Sequence, residues 1–383
     1  MKSTRNVVVL LIMAVVLVFL AKFGGIDVGE FLPEVAVPTE SPVPGITPET
    51  GGDQGEYFRA YFTKPPEEGP GIEQHLIELV GSAEVSVHVA SYEMDLESVA
   101  DALIAAHDRG LDVKLVYDNE MVDDEGKELV LARLKAAGIP MVPDERSAFM
   151  HNKFFVIDGK TVWTGSFNYT ENASQKNNEN AVVFFVPELA ANYEREFAEL
   201  FAGEFGPTST SDTPYPTFSF AGIPIENYFA PEDGVLGKVI AAVKGARYSV
   251  DFLAFSFTDA DLGYTVSELV MEEDIALRGV FESRGNMEYS VCPYLMSRRG
   301  NIPGSGTIDL RLDGNPATMH EKVMVVDGET VIFGSFNFSR NAEESNDENL
   351  LIVHDPDLAA LFTAEFEKVY SQGVVPDANC KSQ

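Results

Sequence analysis

Cysteine, histidine and positive charge are all scarce in this sequence of 383 residues. The two cysteines, Cys292 and Cys380, are too few for a disulfide-dense scaffold or a four-cysteine zinc site. In an oxidising compartment they can form one disulfide, and two free thiols are the alternative. No Cys/His cluster has the spacing of metal ligands, so we predict no metal ion and no cofactor. Four scattered histidines are predicted to be structural or surface residues: His75, His88, His107 and His354.

The charge balance limits the class of substrate. Lys and Arg number 27 against 61 Asp and Glu, which gives a net charge of −34. A field of this sign repels anionic polymers, and we find no basic stripe that would bind a nucleic-acid backbone. This argues against a long DNA substrate, although a local cationic pocket can still hold one phosphate group.

A motif occurs twice in the chain. Residues 150–180 read MHNKFFVIDGKTVWTGSFNYTENASQKNNEN, and residues 319–349 read MHEKVMVVDGETVIFGSFNFSRNAEESNDEN. The segments align without a gap, and 17 of the 31 paired positions are identical. Both conserve the spacing of the same seven residue types, at His151, Lys153, Asp158, Gly165, Ser166, Asn168 and Glu179 and at His320, Lys322, Asp327, Gly334, Ser335, Asn337 and Glu348. Such a repeat indicates a duplicated domain with one chemical purpose.

The spacing predicts where these residues lie. Residues 153–158 and 322–327 are apolar runs ending in Asp-Gly, which is typical of a hairpin turn, and residues 161–164 and 330–333 are the returning strands. Residues two apart on a strand face one side, so each His is expected beside its Lys. The Gly-Ser turn can bring Asn168 or Asn337 back to that pair. An imidazole, an ammonium, a hydroxyl and an amide on one surface suit a phosphate group.

Both copies match the signature H-x-K-x4-D-x6-G-S-x-N, and the chain thereby resembles the phospholipase D superfamily. The longer form, G-S-F-N-[YF]-[TS]-x-N-A-x3-N-x-E-N, is most similar to its endonuclease and mitochondrial cardiolipin hydrolase branch. The resemblance implies that the two halves share one active site, so a monomer is expected to complete it. It also supports catalytic roles for His151, Lys153, Asp158, His320, Lys322 and Asp327. For the two Asp residues, a turn or salt-bridge role is the alternative, since they end their strands.

The remaining motif residues are given supporting roles. Ser166, Asn168, Ser335 and Asn337 are predicted to bind phosphate. Glu179 and Glu348 are predicted to orient the histidine rings through the second imidazole nitrogen. One neutral imidazole attacks phosphorus and forms a phosphohistidine, while its protonated partner supplies the proton for the leaving alcohol. The resemblance implies that His151 is the nucleophile and His320 the acid.

The duplication extends beyond the motif. Residues 85–92 recur as 248–255, and residues 111–118 recur as 275–282, all as apolar runs typical of buried strands. Helical patterns at 96–107 and 128–137 alternate with them, which predicts an α/β fold of two sandwich halves, each a mixed sheet flanked by helices. We assign 56–205 to the first domain, 206–221 to a connector, 222–375 to the second domain and 376–383 to a tail. Residues 283–306 show no clear helical period and are interpreted either as a wall over the site or as a surface loop.

The sequence at the N-terminus predicts where in the cell the protein is located. Lys2 and Arg5 precede an apolar run from Val7 to Ala21, as in a secretory signal. We interpret residues 1–26 as an uncleaved signal anchor, with a cleaved signal peptide and secretion as the alternative. Positive charge before the run predicts an extracytoplasmic catalytic region on the cell membrane. Residues 27–55, rich in Pro, Thr and Gly, are predicted to be an extended tether.

Three functions are compatible with these features. The first is a metal-independent phospholipase D-type hydrolase that converts glycerophospholipids to phosphatidate and an alcohol, with cardiolipin synthase-type transphosphatidylation as a variant. The second is a nuclease with the same two-histidine chemistry. The third is a non-catalytic phosphate-binding module, which the two complete motifs disfavour.

Overall fold

The computed structural model describes residues 57–64, 68–122, 125–285 and 287–381. The predicted signal anchor at 1–26 and all of the predicted tether at 27–55 lie outside these residues. Within the described ranges, no helix is both long and apolar enough to cross a membrane.

The first half contains a mixed sheet. Its strands are β1 (Phe58–Phe62), β2 (Ser86–Ser91), β3 (Asp112–Asp118), β4 (Met141–Asp144), β5 (Lys153–Ile157), β6 (Thr161–Gly165) and β7 (Asn180–Phe184). Its helices are α1 (Ile72–Gly81), α2 (Glu97–Asp108), α3 (Glu125–Ala136), α4 (Glu171–Gln175) and α5 (Pro187–Ala202). The strand order is β4-β3-β2-β5-β6-β7-β1, in which β2, β3 and β4 are parallel and the other pairs are antiparallel.

The second half repeats this arrangement. Its strands are β8 (Thr217–Phe220), β9 (Ile223–Ala230), β10 (Ser249–Ala254), β11 (Ala276–Phe281), β12 (Thr307–Leu312), β13 (Lys322–Val326), β14 (Thr330–Gly334) and β15 (Glu348–Val353). Its helices are α6 (Val235–Val243), α7 (Ala260–Glu272), α8 (Cys292–Arg298), α9 (Arg340–Glu344) and α10 (Pro356–Gln372). The order β12-β11-β10-β13-β14-β15-β9 reproduces the first sheet, and β8 is added at its edge. The predicted duplicated α/β fold is therefore confirmed.

The predicted motif hairpins are also present. Strands β5 and β6 pair antiparallel, as do β13 and β14. The turn residues Asp158 and Gly159 have φ angles of 55° and 62°, and Asp327 and Gly328 have 55° and 65°. Two successive positive φ angles are the mark of a type I′ turn, which Asp-Gly adopts readily because glycine carries no Cβ.

Alternation along the motif strands divides the protein into layers. Phe154 and Val156 enter a central core with Val323 and Val325, together with apolar residues of α5 and α10. The intervening side chains face outward, Phe155 and Ile157 into the core of the first half and Met324 and Val326 into that of the second. Because the central core draws on both sheets, the two halves form one unit from Asp53 to Gln383.

Two segments contain secondary structure that the sequence did not reveal. Residues 217–220, at the end of the predicted connector 206–221, form β8, which pairs with β9 as an edge strand. The stretch 283–306 contains the helix α8, which its sequence period did not reveal. Cys292, at the start of α8, forms a disulfide with Cys380, with an S–S distance of 2.01 Å.

Candidate active site

Each motif histidine lies at the boundary between the halves. His151 precedes β5, and its backbone N–H donates to the carbonyl of Asp347 in the other half at 2.9 Å. His320 precedes β13, and its N–H donates to the carbonyl of Asn178 at 3.0 Å. Both imidazoles line one cavity of about 780 Å³, so the two repeats contribute to a single site.

The glutamates pair with the histidines across the boundary. Nδ1 of His151 lies 2.7 Å from Oε2 of Glu348, and Nδ1 of His320 lies 3.0 Å from Oε2 of Glu179. A carboxylate that accepts a hydrogen bond from Nδ1–H leaves the lone pair on Nε2. The arrangement therefore presents one Nε2 from each half to the cavity.

Each motif lysine contacts the backbone of the histidine two residues before it. Nζ of Lys153 donates to the carbonyl of His151 at 2.6 Å, and Nζ of Lys322 donates to that of His320 at 2.5 Å. Both side chains are buried. Each ammonium is 4.8 Å from the centre of an aromatic ring, Tyr92 for Lys153 and Phe255 for Lys322. The same rings contact the two imidazoles, at 4.7 Å and 4.8 Å between ring centres.

Two glycines permit the close turn after each hairpin. Gly165 and Gly334 have φ angles of 152° and 153°. A Cβ at Gly165 would lie 2.4 Å from the carbonyl oxygen of Asn180, and one at Gly334 would lie 2.3 Å from that of Asn349. Only glycine fits here, which explains the Gly-Ser dipeptide in both repeats.

The serines do not occupy the predicted phosphate-binding position. Ser166 is fully buried, and its hydroxyl donates to Oε2 of Glu179 at 2.7 Å. Ser335 is equally buried and hydrogen-bonds the side chain of Glu348. In this structure the serine hydroxyls contact the two glutamates, and neither serine lines the cavity. The asparagines differ, because Asn168 and Asn337 both line the cavity.

The aspartates are also displaced from the predicted catalytic position. Asp158 accepts hydrogen bonds from the backbone amides of Glu84, Val85 and Ser86, and Asp327 accepts them from Arg247, Tyr248 and Ser249. Each motif lysine begins the five-residue strand that ends just before its aspartate. Five residue steps at about 3.3 Å each place the two residues roughly 16 Å apart. The structure therefore corrects their catalytic assignment and gives them the alternative role at the turn.

Several residues at the site were not recognised from the sequence. Glu93 accepts a hydrogen bond from Nδ2 of Asn168 at 2.9 Å and pairs with Lys127. In the second half, Arg284 lies at the cavity and donates to Oγ1 of Thr318 at 2.7 Å. No motif signals these residues. For Tyr92 and Phe255, however, a signal was available, since both end the repeated strand segments.

Burial governs the protonation of the site. It lowers the pKa of His151 well below its ordinary value, and Lys153 and Lys322 add to this effect. It also lowers the pKa of His320, although Glu179 opposes the change. The pKa of Lys153 is lowered to about 8 and that of Lys322 to about 7, again mainly by burial. Burial raises the pKa of Glu348 to about 7. Without substrate, both imidazoles are thus held neutral. A bound anion would favour the charged form of the two lysines beside it.

The site has the elements that phosphodiester cleavage requires. Two imidazoles are groups that can act as nucleophile and acid, and two ammonium groups beside them can stabilise charge on phosphate oxygens. Among the described residues, no cluster of His, Cys, Asp or Glu could hold a metal ion. Fold and site together define a class of proteins in which a duplicated α/β domain brings two histidines, one from each repeat, to a single cavity.

Comparisons with known proteins agree with this class. A family model described as cardiolipin synthase, PLD-like domain, matches residues 76–201 and 239–370. These two segments cover most of the chain, and the protein belongs to the phospholipase D-like family.

Individual relatives show how far the similarity extends. The mitochondrial cardiolipin hydrolase of Chlamydomonas reinhardtii is 31% identical over 124 residues, which is 32% of this chain and 55% of that protein. The phospholipase D of Rickettsia bellii is 33% identical over 132 residues, or 34% of this chain and 63% of that protein. The matched region thus spans less than two thirds of either relative. Phosphatidylserine synthase from Haemophilus influenzae Rd KW20 shares the fold, with a TM-score of 0.67, 15% identity and coverage of 86% of this chain and 90% of that one.

Proposed function

We propose that this protein is a phospholipase D-type hydrolase that cleaves glycerophospholipids, including cardiolipin, to phosphatidate or a phosphatidyl product and an alcohol. The observation that carries the proposal is the pair of crossed contacts, His151 to Glu348 and His320 to Glu179, around one cavity. The names of the relatives, cardiolipin hydrolase and phospholipase D, support a lipid substrate. The net charge of −34 disfavours a long nucleic acid.

The proposed reaction has two steps. Binding of the anionic phosphodiester favours the protonated form of His320, which takes up a proton from solvent at Nε2. Nε2 of His151 then attacks phosphorus, a P–N bond forms, and the P–O bond to the leaving alcohol breaks while Nε2–H of His320 donates its proton to that oxygen. His320 then accepts a proton from water, whose oxygen attacks phosphorus and displaces His151. Burial beside two lysines lowers the pKa of His151 well below its ordinary value, which supports it as the neutral nucleophile.

The charge on the phosphate is stabilised without a metal ion in this proposal. Lys153 and Lys322 face the non-bridging oxygens, and the amides of Asn168 and Asn337 donate hydrogen bonds from the cavity wall. Since both motif sets meet within one chain, a monomer carries the full site. An alcohol in place of water would turn the second step into transphosphatidylation.

The location is part of the proposal. The apolar run from Val7 to Ala21 anchors the chain in the cell membrane, and the catalytic region lies outside the cytoplasm. The Cys292–Cys380 disulfide supports an oxidising compartment. Alkaline extraction of membranes should leave the full-length chain in the pellet. A soluble chain that begins beyond residue 26 would instead indicate a cleaved, secreted form.

A substrate competition tests the function. The full-length protein in EDTA is offered mixed phospholipid vesicles containing cardiolipin and, in parallel, single-stranded and duplex DNA, with products followed by mass spectrometry. We expect phosphatidate or a phosphatidyl product that depends on His151. The matched control is His354→Gln, because His354 lies outside the cavity. Fragmented DNA without lipid turnover would overturn the proposal in favour of a nuclease.

A further inference from the structure

The two sides of the catalytic cavity differ although the chain is duplicated. Tyr92 and Glu93, after β2, correspond to Phe255 and Ser256, after β10. On the first side, Glu93 is held by Asn168 at 2.9 Å and pairs with Lys127, so the wall is polar. On the second side, the Ser256 side chain is too short to make the contacts that Glu93 makes on the first. The space beside Ser256 therefore remains open.

That open space is a second cavity of about 620 Å³, whose surface is mainly apolar although polar residues also contribute to its lining. Its walls include Phe257 and Phe281 from the core and Met287 and Tyr289 from the segment before α8. It joins the catalytic cavity, because both are lined by Phe255, Ser256, Arg284 and Thr318. A ligand bound at His320 can therefore extend past Phe255 and the polar groups of this junction into the second cavity.

The outer wall is exposed but anchored. Tyr289 is 70% exposed, which is high for a large aromatic side chain. Exposed apolar surface beside a site is a common mark of a binding surface for an apolar ligand. Shortly after Tyr289, Cys292 is bonded to Cys380 and is fully buried. The disulfide thus fixes the base of this wall against the second half.

We propose that this cavity binds an acyl chain of the phospholipid substrate beside His320, an inference that rests on the proposed function. The guanidinium of Arg284 stands where the two cavities join, held by Glu282 at 3.1 Å and Thr318 at 2.7 Å. It supplies donors for the ester or phosphate oxygens at the polar end of the chain. The polar wall around Glu93 binds the second alcohol group of the phosphodiester, which lies on the opposite side of phosphorus from the acyl chain.

Chain length tests the subsite. Phosphatidylglycerols with acyl chains lengthened one methylene at a time are assayed below their micelle-forming concentrations, and chainless glycerophosphoglycerol gives the reference rate for each variant. For the unmodified protein we expect kcat/KM to rise up to about fourfold for each methylene buried. In Tyr289→Ser and Met287→Ser the rise in kcat/KM for each added methylene should fall below about twofold.

The control is Tyr248→Ser, since Tyr248 is 68% exposed and does not line either cavity. It should keep the increment of the unmodified protein. Equal increments in Tyr289→Ser, Met287→Ser and the unmodified protein would overturn the subsite while leaving lipid hydrolysis intact. Cleavage of DNA or glycerophosphoglycerol without turnover of any phosphatidylglycerol would overturn the proposed function, and the subsite with it.

Discussion

Glu348 of the second half lies 2.7 Å, measured from Oε2 to Nδ1, from His151 of the first half. The reciprocal pair, Glu179 and His320, is separated by 3.0 Å. Each imidazole is therefore oriented by a carboxylate that the other repeat supplies. Neither half alone contains a histidine together with the glutamate that holds it.

Replacing Glu348 with Gln should lower kcat by about 10²- to 10⁴-fold, the range found when the group that orients a catalytic histidine is lost. The change removes the charge that stabilises a cationic imidazole, and it replaces one acceptor oxygen by a donor, so the tautomer with Nδ1–H is no longer selected. Steady-state kinetics on phospholipid vesicles measure kcat. Glu344→Gln, at a surface carboxylate that pairs with Arg340, is the control. Unchanged kcat in Glu348→Gln would contradict the orienting role.

Removal of either motif imidazole should abolish turnover. We expect His151→Ala and His320→Ala each to reduce kcat by at least about 10⁴-fold, because nucleophile and acid act in the same step. Mass spectrometry of the intact protein and of its peptides, after rapid quenching without acid, should detect a phosphatidyl adduct located on His151 in the unmodified protein. Near-normal turnover in either variant would contradict a shared site, and an adduct on His320 would reverse the two roles.

Substrate binding should weaken as pH rises above neutrality. The pKa values of Lys322 and Lys153 are lowered to about 7 and about 8, and each ammonium loses its charge as pH rises through its pKa. KM should therefore increase between pH 7 and pH 9. Sulfate keeps its charge over this range, so its inhibition constant should increase in parallel. A KM that stays constant to pH 9 would show that the lysines do not bind the phosphate.

Below neutrality a separate effect is expected on kcat/KM. The pKa of His151 is lowered well below its ordinary value in the substrate-free protein, so the neutral nucleophile persists as pH falls. The acidic limb of the kcat/KM profile, which reports the free enzyme, should lie below the ordinary histidine range of about 6.5. A limb at or above that value would contradict the buried environment of His151.

Asp327→Asn should reduce stability while leaving the chemistry intact. The carboxylate accepts hydrogen bonds from three backbone amides, and weakening them costs about 1–3 kcal/mol. Burial acts to raise the pKa of Asp327, but these hydrogen bonds outweigh it and hold the pKa below its ordinary value. The stabilisation is therefore present above the unfolded-state pKa and is lost as pH falls through the folded-state value.

Thermal unfolding measures this change, with Glu329→Gln, an exposed neighbour in the same turn, as the control. We expect a melting temperature lower by a few degrees at neutral pH and a difference that shrinks in acid. A large loss of kcat at an unchanged melting temperature would return Asp327 to the catalytic residues.

Local patterns predicted much of the fold and part of the site. Alternating apolar residues and Asp-Gly dipeptides placed the motif hairpins, because side-chain period and turn conformation depend on neighbours in the chain. The prediction failed where a side chain has a choice of partners. Ser166 and Ser335 were assigned to phosphate, yet their hydroxyls contact Glu179 and Glu348, and burial decided this outcome.

The sequence by itself determined the duplication, the paired strands and the presence of two His-Lys sets, since each follows from residues close in the chain. Only the tertiary structure decided that each glutamate crosses to the opposite histidine, that the aspartates stay at distant turns, and that an apolar cavity opens beside Ser256. These features join residues far apart in sequence, such as His151 and Glu348. Their contact depends on how the two sheets pack around a common core, which no local pattern encodes.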